Sequence, residues 1–168
     1  IAAGNLYMIG ISPENPSSGT GELYDKNLAN DSAPAILRGG TTVALPALGI
    51  EIFQSIDGTK YLYYFQATKI GRWDFDGQTG EFIDDWDTGL NSTTFHQTHF
   101  FQGAVYFGNL ANLGKIYSVT GSGASTNSNV FDFPDDYTNT CLEDDGNYLI
   151  AGITKSLGLT LNADSRVV

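Results

Sequence analysis

Positive charge is scarce in this sequence. Eight Lys and Arg stand against 19 Asp and Glu, a formal charge of −11 over 168 residues. Such a surface repels phosphate backbones and anionic lipid, which excludes nucleic acid as a partner and speaks against docking on or inserting into a membrane. No apolar run approaches the roughly 18 residues a spanning helix needs. Cysteine is almost missing too. Cys141 stands alone, so no intramolecular disulfide forms, and without a Cys/His cluster a structural zinc site is excluded. Nucleophile elbow, phosphate-binding loop and HExxH motif are all lacking. No segment sustains a 3.6-residue apolar period, so long helices are not expected. The only Met is Met8 and the chain starts at Ile1, which reads as a processed chain or a fragment of a larger one.

What is present is apolar and turn-rich. Hydrophobic residues make up 41% and aromatics 12%, with 20 glycines, a composition for a packed domain with many turns rather than an acidic disordered tail. Low Lys content and abundant Gly, Asn, Asp, Ser and Thr point to an extracellular, cell-surface or virion setting. The sequons at Asn30 and Asn91 fit that setting.

An internal repeat organises the chain. Four segments, GNLYMIGI from Gly4, GTKYLYYF from Gly58, GAVYFGNL from Gly103 and GNYLIAGI from Gly146, begin with glycine and run into an aromatic-rich apolar strand. Each is followed by a second glycine, at Gly21, Gly71, Gly114 and Gly158, after 17, 13, 11 and 12 residues. The first glycine supplies a turn and the second opens the next strand. Tyr7, Tyr61, Tyr106 and Tyr148 fall at or beside the same position and are expected to be buried. Repeats near 1–48, 49–91, 92–136 and 137–168 are the size of four-stranded propeller blades. The expected fold is therefore all-β, with antiparallel four-stranded blades of a partial or open β-propeller. The first repeat lacks an innermost strand and the last an outermost one.

The stretch RWDFDGQTGEFIDDW from Arg72 carries Asp76, Thr79, Gly80 and Trp86. In this it resembles the blades of the PQQ-like (quinoprotein-like) propellers. That resemblance implies a Thr-Gly turn between the last two strands, with Trp86 docking between neighbouring blades. Trp73-Asp74 is similar to the dipeptide of the WD-type repeats.

Three sets of residues are candidates for chemistry. Seven residues before successive strand-opening glycines stand Glu51, His96 and Asn139. If these share one rim of a propeller, they form a polar ring able to donate and accept hydrogen bonds to a ligand, carbohydrate included. Asp74, Asp76 and Thr79 place alternate oxygens as a calcium loop does, although an Asp-Gly/Thr-Gly turn explains the same residues. No other cofactor is expected. His96 and His99, three apart on a strand, would face opposite ways and cannot share a metal. The acidic groups Asp84-Asp85-Asp87, Asp135-Asp136 and Glu143-Asp144-Asp145 read as solvated turns, or as carboxylates for glycoside chemistry. The expectation is a non-enzymatic scaffold or binding module of an extracellular, virion or filament assembly that contacts protein, its own copies or carbohydrate through loops. The alternative is a propeller enzyme, glycoside-active or quinoprotein-like, with acidic loops at its site.

Overall fold

The computed structural model describes residues 5–11, 20–29, 32, 34, 36–44, 49–54, 58, 60–74, 82–91, 96–118, 124–155 and 165–167. Among them are fourteen strands and no helix. They form four antiparallel sheets, each a meander of consecutive strands. Sheet 1 holds β1 (Asn5–Ile11), β2 (Thr20–Asn27) and β3 (Ile36–Ala44). Sheet 2 holds β4 (Gly49–Gln54), β5 (Lys60–Phe65), β6 (Lys69–Asp74) and β7 (Phe82–Thr88). Sheet 3 holds β8 (Thr98–Phe101), β9 (Ala104–Asn109), β10 (Asn112–Ser118) and β11 (Ala124–Asp132). Sheet 4 holds β12 (Tyr137–Asp144), β13 (Leu149–Lys155) and β14 (Ser165–Val167). The sheets are blade-like and do not close into a barrel. Gly158 lies outside the described residues; the strand seen beside β13 is β14.

Alternation of side chains sets how the sheets stack. In sheet 2, Phe53, Tyr63, Phe65 and Ile70 bury one face against Val105, Phe107 and Ile116 of sheet 3. The opposite face of sheet 3 contributes Leu113 and Tyr106 to a second core with Leu142, Ala151 and Ile153 of sheet 4. Sheet 3 is thus covered on both sides. At about 1.5–3 kcal/mol for each large apolar side chain removed from water, these two seams bind sheets 2, 3 and 4 together. Trp86 packs on the first core, edge-on to Tyr63 with centroids 4.9 Å apart, and Arg72 lies 4.4 Å over the Tyr61 ring.

The paired glycines do two different jobs. Gly58, Gly103 and Gly146 have φ of 89°, 80° and 91°, the left-handed region that other residues adopt only under strain. Gly71 and Gly114 instead sit inside β6 and β10, each at a register irregularity toward the following strand. Each faces an aromatic partner on the preceding strand, Tyr64 and Phe107, whose ring fills the space a Cβ would take. The tyrosine expectation needs correcting. Tyr61 and Tyr106 are half-buried, but Tyr148 is 72% exposed, because it falls in the turn before β13 and donates its N–H to Asp145.

Candidate functional site

Strand register decides which of the candidate residues meet. Glu51 lies in the middle of β4 opposite Tyr63. His96 lies two residues before β8, and Asn139 is the third residue of β12. Taking the ring-over-glycine pairs Tyr64 and Phe107 as equivalent, the residue of β8 that matches Glu51 is His99, since it faces Tyr106 just as Glu51 faces Tyr63. Counting back seven residues misses this by three. The cause is turn length: five residues separate the paired Gln54 and Lys60, and two separate Phe101 and Ala104.

His96 and Asn139 nevertheless converge, on Gly108. His96 is 1% exposed, lies 5.9 Å from Phe65 between ring centroids at a tilt of 41°, and places Nδ1 2.8 Å from the Gly108 carbonyl oxygen. A carbonyl only accepts, so Nδ1 carries the proton and donates it. The Asn139 side chain packs where a Cβ of Gly108 would stand. It donates through Nδ2 to the carbonyls of Cys141 and Gly152, at 2.9 and 3.1 Å. His96 Nε2 and Asn139 Oδ1 are buried without a partner. Glu51 does not join them: its Oε1 accepts from the neighbouring Ile52 N–H at 3.0 Å.

A contact not foreseen from the sequence lies one seam over. His99 Nε2 meets Asp144 Oδ2 at 2.5 Å, tying β8 of sheet 3 to β12 of sheet 4. The bond from His99 holds the Asp144 carboxyl below its ordinary value, aided by the Gly146 N–H donating to Oδ1 at 2.7 Å. Nothing local signals this pair, since 45 residues separate its members. Asp145 is lowered by the N–H groups of Asn147 and Tyr148, which it accepts within the β12–β13 turn. These two carboxylates are therefore engaged in holding a hairpin and a seam. Asp136 stands 3.8 Å from Lys155. Of the calcium set, Asp74 ends β6, while Asp76 and Thr79 lie outside the described residues. No group of three or more potential metal ligands occurs among the described residues.

At the other end of the same strands, sheets 2 and 3 part to leave a cleft of about 330 Å3. Ile52, Phe53, Gln54 and Lys60 line it from sheet 2; Phe100, Gly103 and Ser118 line it from sheet 3. Phe53 is its buried floor and Phe100, 6.4 Å away between centroids and 48% exposed, is its wall. Compared with known proteins, the chain matches no family model, no curated protein and no solved structure.

Proposed function

We propose that this chain is a partial, open β-propeller acting as a non-enzymatic scaffold or binding module of an extracellular, cell-surface or virion assembly, completed by protein contact along its inner strands. One observation carries the reading. Ile50 and Ile52 are exposed on β4, although they share a face with the buried Leu62 and Tyr64. Sheets 1 and 2 approach through β3 and β7. Counting inward from that edge, β2 is level with β6 and β1 with β5, so β4 has no counterpart in sheet 1 among the described residues. Two large apolar side chains therefore stand where an inner strand of sheet 1 would cover them. The adjoining backbone edge of β1 has no described strand beyond it. Uncovered strand edges next to apolar surface recruit other strands.

A second copy is the simplest source of such a strand or surface. Sedimentation equilibrium over a range of concentrations tests this. The wild-type chain self-associates, and the Ile50→Ser/Ile52→Ser double variant, altered only at exposed positions, shifts toward monomer. A wild-type chain that stays monomeric at every concentration overturns the self-assembly reading.

A further inference from the structure

The cleft between the β4–β5 and β8–β9 hairpins shares Ile52 with the apolar patch of that assembly reading, and the rest of its lining specifies a ligand of its own. Its volume of about 330 Å3 is at the small end of the range for small-molecule sites. Three of its lining residues, Ile52, Phe53 and Phe100, carry hydrocarbon side chains. Two of these are phenyl rings already tilted at 42° to one another, an arrangement that accepts a third ring edge-on against the exposed side of Phe100. The polar lining is sparse. Gln54 has its amide nitrogen committed to the Gly58 carbonyl at 2.9 Å, and Ser118 offers one hydroxyl. A polyhydroxylated sugar would leave most of its hydroxyls without partners there, at a cost for each one desolvated.

Lys60 is the one fully charged residue of the lining. In a chain with 19 carboxylates and eight basic side chains, a lysine is ordinarily surrounded by candidate partners, yet Lys60 has no ion pair among the described residues. Its pairing with Gln54 sets Lys60 at the mouth of the β4–β5 hairpin, on the exposed rim of the cleft. An apolar slot with one cation at its lip is complementary to a ligand with a hydrocarbon body and a single anionic end.

We propose that this cleft is a binding site for small aryl carboxylates, with the ring lodged against Phe100 and Phe53 and the carboxylate at the Lys60 ammonium. Apart from Ile52, the site uses residues that the assembly reading does not, and its ring-binding pair, Phe53 and Phe100, belongs to the sheet 2–sheet 3 seam.

The probe is 3-phenylpropanoate, with 3-phenylpropan-1-ol as its neutral counterpart and 2-phenylethylamine as its cationic one, titrated against the full chain by two-dimensional NMR. Saturable shifts confined to residues around Phe53, Phe100 and Ser118 are expected for the acid, with a Kd of about a millimolar for a ligand of this size. The alcohol binds more weakly and the amine more weakly still. Lys60→Gln weakens the acid by about two- to fivefold, as befits an ion pair at an exposed lip, and leaves the alcohol unchanged. Phe100→Ser weakens both. Equal affinity for acid and alcohol, or an acid affinity indifferent to Lys60→Gln, overturns the anionic assignment. Absence of saturable shifts with the acid, in a chain whose spectrum remains dispersed, overturns the site.

Discussion

The ring of Tyr64 lies across Gly71, its partner on the neighbouring strand, and reaches β7, where its hydroxyl donates to the Ile83 carbonyl at 3.5 Å. Phe107 covers Gly114 in sheet 3 in the same way. In both sheets the glycine marks the point where the fourth strand shifts register. A ring packed against a glycine fills the gap left by the missing side chain, and it leaves no room for anything larger.

Replacement of either glycine by alanine is therefore expected to destabilise the protein by about 1–3 kcal/mol, the usual range for overpacking a filled site. Urea denaturation of Gly71→Ala and Gly114→Ala measures this. Adding Tyr64→Leu to Gly71→Ala should cost less than the sum of the two single changes, because the two residues compete for one space. Strict additivity would show that the ring and the glycine do not depend on each other.

Acid should loosen the seam between sheets 3 and 4. Asp144 is held below the ordinary carboxylate value, first by the bond from His99 and then by the Gly146 N–H. A carboxyl lowered in the folded state contributes stability that is fully present above its unfolded value, near pH 3.8, and is lost as pH falls through the lower folded value. Thermal melts of wild type and Asp144→Asn should differ at neutral pH and converge as the pH drops below that point. Curves that remain parallel to the lowest pH measured would remove Asp144 from the seam.

His96 and Glu51 should respond very differently to truncation. His96→Ala empties a buried position and strips a donor from the Gly108 carbonyl, an expected loss of about 2–4 kcal/mol. Glu51→Ala removes a carboxylate that bonds only to the next residue's N–H, and is expected to stay within about 0.5 kcal/mol. Chemical denaturation of the two variants compares them directly. Similar losses at both positions would mean that Glu51 has a structural role its local bond does not suggest.

Local pattern revealed the strands but not their register. The Gly-aromatic repeat marked β1, β5, β9 and β13, because hairpins need a permissive turn and buried strands need apolar faces, and both needs are met by adjacent residues. Tyr148 was misplaced because a turn and the strand behind it cannot be told apart by composition. The match of Glu51 with His96 failed for a related reason: spacing in sequence includes turn residues, whereas spacing in a sheet does not. His99 and Asp144 come together only because sheets 3 and 4 stack, and Phe53 meets Phe100 only because sheets 2 and 3 do. Such contacts depend on tertiary geometry, which no local pattern encodes.

β8 is only four residues long, too short for hydrogen bonds alone to fix its alignment. Its two central residues face opposite neighbours: His99 meets Asp144 of sheet 4, and Phe100 meets Phe53 of sheet 2. Sliding the strand by one position would exchange these faces. The phenyl ring would then abut a carboxylate, and the imidazole would be pressed against the aromatic floor with its bond to Asp144 lost. Misaligned versions of this strand are thus penalised on both sides at once, so a slip of β8 or a swapped pairing during folding is rejected by chemistry that a longer strand would not require.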